Sequence, residues 1–133
     1  MHGSIGQVED ARILVVDDQE MIVLLITRIL ERSGFTAVSG TSDPIAAREL
    51  CASEVPHLLI VDLGMPALDG IEWLEELRPT ERQPEPLAVL VVSGEDSASE
   101  RAQRARAAGA SQVLSKPFGR ADLVTAVRAA LGD

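Results

Sequence analysis

At 133 residues, the chain has length for one domain that buries roughly two thirds of its unfolded surface, and no room for a second. Its 46% apolar content includes no run near the about 20 residues that cross a bilayer, which excludes a membrane-spanning helix. The net charge of -9 argues against direct contact with nucleic-acid phosphates and favours a cation as ligand.

Residues 1–10, MHGSIGQVED, show no periodicity and no secretory pattern. They read as a flexible tail, in part an expression remnant, which leaves 11–133 as the folded unit and the cytoplasm as its compartment. The run RILVV at 12–16 predicts a strand that ends on Asp17 and Asp18. Projecting the following helix at about 100° per residue puts Ile22, Leu25, Ile26, Ile29 and Leu30 on the inward face, Leu24 opposite them and Val23 at the border. Single exposed aliphatic residues are ordinary, but Val23 and Leu24 also mark a surface where a helical partner or a second copy of the chain could dock. Gly34 closes that helix, and FTAVS at 35–39 predicts the second strand. Asp43 and Pro44 then form the cap and first turn of a second helix.

That helix carries Cys51, the sole cysteine, which excludes an internal disulfide, fits a reducing compartment and reads as a small semi-buried residue. The run HLLIV at 57–61 predicts a strand ending on Asp62. His57 lies at its opposite end and reads as structural, and His2 as incidental. A third helix follows Asp69 and Gly70 and carries Trp73 as a packing or partly exposed residue, before the proline-broken loop RPTERQPEP at 78–86. The fourth strand, LAVLVV at 87–92, runs into Ser93 and Gly94. The fourth helix turns Ala98, Ala102 and Ala105 inward; methyl groups bury little area, so this helix is expected to be held weakly. Gly109 follows it, and QVL at 112–114 predicts a fifth strand that leads to Lys116, Pro117 and Phe118.

Five aliphatic runs separated by helix-length segments predict βα units in a doubly wound α/β fold around a parallel sheet. The carboxyl ends of parallel strands share one edge, which gathers Asp17, Asp18, Asp62, Ser93 and Lys116. Three carboxylates about 4 to 5 Å apart repel by a few kcal/mol per pair at an effective dielectric near 20. Lys116 can offset one charge, and a hard divalent ion with oxygen ligands, Mg2+ or Mn2+, can offset two.

Taken together, VVDD (15–18), VDLGMP (61–66), LDG (68–70), VVSG (91–94), AGAS (108–111) and SKPF (115–118) resemble the receiver domain of response regulators, the phosphoacceptor module of two-component signalling. The resemblance runs from Arg12 to Leu131. It implies a flavodoxin-like (βα)5 fold with strand order 2-1-3-4-5, an order that the hydrophobic pattern does not supply. It implies Asp62 as nucleophile toward a phosphohistidine on a sensor histidine kinase or histidine phosphotransfer protein, with an unidentified output partner. Asp18, Asp62 and the Gly64 carbonyl would hold the metal directly and Asp17 through water. Lys116 and the Ser93 hydroxyl would contact the phosphoryl oxygens. The segment from Ser93 and Gly94 through Glu95 would move with the fourth helix and alter the surface it shares with the fifth strand.

Two positions depart from the family pattern. Val113 stands where many receivers place a Tyr or Phe that swings inward, so an aromatic switch is absent. Gly64 leaves open a position that often carries a larger polar residue, and with Glu95 it should influence attack of water on the acyl phosphate. Among alternatives, an aspartyl-nucleophile phosphatase of the haloacid dehalogenase type needs an Asp where this chain has Gly64. A flavodoxin-like binding module needs a Ser-, Thr- or Gly-rich phosphate loop where this chain has DDQE. A degenerate receiver acting by contact alone is disfavoured by the intact Asp17, Asp18, Asp62, Ser93 and Lys116. A last helical segment follows Phe118, and the chain ends two residues after it, which leaves a single-domain regulator and a receiver cut from a larger protein both open.

Overall fold

The computed structural model describes residues 7–65, 69–77, 87–94 and 99–132. Strands β1 (Arg12–Val16), β2 (Ala37–Thr41), β3 (Leu58–Asp62), β4 (Ala88–Ser93) and β5 (Gln112–Ser115) alternate with helices α1 (Glu20–Arg32), α2 (Pro44–Ser53), α3 (Gly70–Glu76), α4 (Glu100–Ala107) and α5 (Arg120–Ala130). All strand pairs are parallel, in the order β2-β1-β3-β4-β5. This is the expected doubly wound flavodoxin-like sheet.

Side chains alternate across a strand with a period of two, and here that alternation builds two cores. Leu14, Val16, Leu59, Val61, Val89 and Val91 face α2, α3 and α4, meeting Ala47, Cys51, Trp73, Leu74 and Ala105. Ile13, Val15, Leu58, Ile60, Leu90 and Val92 face α1 and α5, meeting Ile26, Leu30, Leu123 and Val127. Trp73 is fully buried in the first core. Burial in that core also pushes the Cys51 thiol up to about 11. The two faces are held unequally. Each buried Ile or Leu of α1 contributes about 1.5–3 kcal/mol, whereas a buried methyl contributes about 0.8, and the buried side chains of α4 are Ala102 and Ala105. The Ala98 position of the expected stripe, like the loop 78–86, lies outside the described residues.

Helix ends follow the sequence signals. The Asp43 carboxylate accepts from the Ile45 and Ala46 amides with Pro44 at the first turn, Asp69 caps α3 and Ser99 caps α4. Gly34 and Gly109 take the left-handed backbone at φ +103° and +121°, the usual glycine C-terminus.

Three expectations need correction. Residues 1–10 are not wholly a tail, because Val8–Asp10 form a 3-10 turn whose Glu9 carbonyl accepts the Thr36 amide at 3.0 Å. The Glu9 carboxylate also pairs with Arg128 at 2.8 Å, a hydrogen bond that lowers its pKa, and that guanidinium lies 5.4 Å from the Phe35 ring centroid. The second strand starts at Ala37, and Phe35, which is buried, lies in the connection before it. Leu25 is not inward but 47% exposed, while Val23 packs at the margin of the second core. The cause is Gly40 in β2: a Cβ there would sit 2.5 Å from Val23 Cγ1, so the missing side chain lets α1 lean onto β2 and rotates its buried arc toward Val23. Gly40→Ala therefore forces α1 outward and should lower unfolding free energy by about 1–3 kcal/mol, read by urea denaturation.

Candidate functional site

The order of strands reverses between β1 and β3, and the carboxyl edge at such a switch point is where open α/β sheets bind ligands. Asp17 leaves β1 there, 1% exposed. Its Oδ1 accepts the Gln19 amide at 2.9 Å and its Oδ2 accepts the Lys116 ammonium at 2.9 Å. Asp62 is the last residue of β3 itself, one position later than the apolar run suggests. Its Oδ2 also accepts from Lys116, at 3.3 Å, and its Oδ1 accepts the Gly64 amide at 2.9 Å. Asp18 is exposed, yet one carboxylate oxygen from each of Asp17, Asp18 and Asp62 falls within 4.8 Å of the others.

Lys116 is thus the cation between two of three clustered carboxylates. Burial pulls its pKa down, but the hydrogen bond it donates to Asp17 and the charges of Asp62 and Asp17 outweigh it, so the ammonium titrates above its ordinary value. Its position is set from the backbone, where the Lys116 amide donates to the Ser93 carbonyl at 2.7 Å. Ser93 is 4% exposed and lies opposite Ser115 in register, one step beyond the Asp62–Val92 pair.

The remaining expected residues distribute unevenly. Gly64 follows Asp62 in the turn, and a Cβ there would lie 3.6 and 3.9 Å from the two Asp62 carboxylate oxygens, so a side chain at 64 would overhang them. At Gly94 a Cβ would meet nothing within 4 Å among the described residues, and its φ is not positive. Glu95 lies outside the described residues. Val113 is partly buried against the core of the α2–α4 face. His57 sits at the far edge, buried, its Nδ1 accepting the Arg12 amide at 2.9 Å. It is a structural histidine, as its place in the sequence suggests.

Sequence reasoning missed two features. Arg101 on α4 donates to the Leu63 carbonyl at 3.0 Å, just behind Asp62; one arginine among several in ERAQRARA offers no local sign of that partner. On α1, the exposed apolar patch is Met21, Leu24 and Leu25, in a hollow edged by Arg28, Arg32 and Arg120. Val23, paired with Leu24 in the expected docking surface, instead leans on β2.

Fold and edge geometry together define a signalling module of the receiver type, and the chain belongs to the response regulator receiver domain family, whose model matches residues 13–128. The response regulator MprA of Mycobacterium ulcerans is 40% identical over 120 residues, 90% of this chain and 50% of that protein. The chemotaxis response regulator CheY4 of Vibrio cholerae superposes with a TM-score of 0.81 at 26% identity, covering 91% of this chain and 98% of that one. A signal receiver domain from Bermanella marisrubri gives 0.79 at 33% identity, covering 92% and 98%. The chain spans about half the length of the curated relatives it matches. No helix among the described residues is long and apolar enough to cross a membrane.

Three carboxylates cluster at this edge and Lys116 pairs with two of them, so removing a charge relieves repulsion. Asp18→Asn should raise unfolding free energy by about 1–3 kcal/mol in chelator-treated buffer, measured by urea denaturation at neutral pH.

Proposed function

We propose that Asp62 takes a phosphoryl group from a phosphohistidine of a sensor histidine kinase or histidine phosphotransfer protein and stores it as an acyl phosphate. The observation that carries this reading is the placement of Asp62 against both Lys116 and the Asp17–Asp18 pair. An Asp62 carboxylate oxygen attacks phosphorus as the P–N bond breaks, and the electron pair leaves with the imidazole nitrogen. No general base is required, because a carboxylate is already ionised at neutral pH. Lys116 then faces the phosphoryl oxygens, and the Ser93 hydroxyl donates to one of them. Transferring phosphoryl groups spread charge over their oxygens, so alignment and positive charge do most of the catalysis.

The donor set fits Mg2+, or Mn2+ in its place. Its groups are hard oxygens, clustered and in excess of the local positive charge, which suits an ion that keeps several waters and takes few carboxylates. Asp18, Asp62 and the Gly64 carbonyl would hold it directly and Asp17 through water; bound there, it supplies positive charge to the phosphoryl oxygens.

The same reading makes the domain a phosphoacceptor that assists its own phosphorylation and dephosphorylation, not a turnover enzyme. Gly64 provides no acid where a haloacid dehalogenase-type phosphatase needs one. Its functional unit is 11–133 buttressed by Val8–Asp10, in the cytoplasm. The acidic domain itself makes no nucleic-acid or membrane contact. Ser93, Gly94 and Glu95 relay the phosphorylated state toward α4 and β5, where an output partner reads it.

Intact mass after incubation with acetyl phosphate and Mg2+ tests the assignment. One phosphoryl group should appear in the wild type, and none in Asp62→Asn or with chelator present. Multiple turnover of phosphomonoesters would favour the phosphatase instead.

For the donor protein, the α1 patch of Met21, Leu24 and Leu25 beside Arg28, Arg32 and Arg120 suits a histidine-bearing helix with an acidic rim. Leu24→Asp removes about 1.5–3 kcal/mol of apolar burial at such a contact, equivalent to roughly 10- to 100-fold slower phosphotransfer from the kinase. Labelling by acetyl phosphate should be unchanged; sedimentation of both proteins reports whether a second copy uses the patch instead.

A further inference from the structure

We infer that the peptide group joining Leu63 to Gly64 is a hydrogen-bond relay between the Asp62 carboxylate and α4, with Arg101 as its positioning residue. Arg101 Nη2 donates to the Leu63 carbonyl at 3.0 Å, and the Gly64 N–H donates to Asp62 Oδ1 at 2.9 Å. These two bonds occupy opposite ends of one planar unit. A cation on the carbonyl oxygen draws electron density toward that end and makes the N–H a better donor, as in any chain of polarised hydrogen bonds. Planarity adds a mechanical link, because the peptide cannot turn at one end without turning at the other.

The relay responds to the chemical state of Asp62. A carboxylate is a charged acceptor, and charge-assisted bonds are roughly twice as strong as neutral ones. With a phosphoryl group attached, as the phosphoacceptor reading requires, the aspartyl oxygens become those of an acyl phosphate, a mixed anhydride, and no longer share a full negative charge. The Gly64 N–H bond weakens, the peptide is less polarised, and the hold of Leu63 on Arg101 loosens.

Two features turn that loosening into movement. Arg101 lies in the first turn of α4, whose buried side chains are only Ala102 and Ala105. Val113, packed against the core layer that includes Ala105 and Ala108, is too small to act as a rotating aromatic lever, so the relay adds a path from site to helix beside the one through Ser93 and Gly94. Coupling of this kind is reciprocal: a partner that draws Arg101 away from Leu63 alters how Asp62 holds its phosphoryl group.

The test is amide NMR of the wild type, Arg101→Ala and Arg101→Lys, before and after treatment with acetyl phosphate and Mg2+, with intact mass taken on the same samples. Arg101→Ala should move the Gly64 amide proton upfield before any phosphorylation. It should also lose most of the shift changes that phosphorylation causes across Ala102–Ala107, while those at Ser93 and Lys116 persist. Arg101→Lys should recover part of both effects, and it carries the comparison if the alanine variant does not fold. An unmoved Gly64 amide, or α4 changes of equal size with and without the Arg101 guanidinium, overturns the relay. A wild type that gains no mass overturns the phosphoacceptor reading separately, and the Gly64 amide then still decides whether Arg101 polarises the peptide.

Discussion

One ammonium group organises this domain's working edge. Lys116 reaches from beyond β5 across the end of β4 to touch Asp17 beyond β1 and Asp62 at the end of β3. It thereby ties together segments 99 and 54 residues apart in sequence. Only a parallel sheet whose order reverses between β1 and β3 brings those strand ends within reach of one side chain. The arrangement is also incomplete as electrostatics. Three carboxylates against one ammonium leave an excess of negative charge in a partly dry setting, and an assembly left in that state favours arriving positive charge.

The strand termini explain why so much of the site could be read from sequence. Buried parallel strands are apolar on both faces, so a carboxylate or hydroxyl that interrupts the run marks the rim without ambiguity, as Asp17, Asp62 and Ser93 do. Asp43–Pro44 and Gly34 were legible for a similar reason, since caps and left-handed ends are local chemistry. The strand order itself was not local; it came with the family resemblance.

What stayed hidden depends on contacts between distant segments. A helical projection treats all neighbours alike, and so it could not anticipate that the bare backbone of Gly40 would draw α1 over and exchange Val23 for Leu25 on the buried side. The turn at Val8–Asp10 has no periodicity of its own and is held by Thr36 and Arg128. Arg101 meets a backbone carbonyl 38 residues away, a pairing with no sequence signature at either end.

The clasp of Glu9 to Arg128 has a further meaning for the chain's layout. It joins the segment just before β1 to the last turns of α5, so the two ends of the folded unit come together at the rim remote from the acidic cluster. Anything tethered to either end starts from that remote rim. A short bridge between the ends would close the chain into a ring without passing over the acidic edge, so new ends could be opened elsewhere while the sheet keeps its order. The covalent start and finish of this domain are, in that sense, separable from its chemistry.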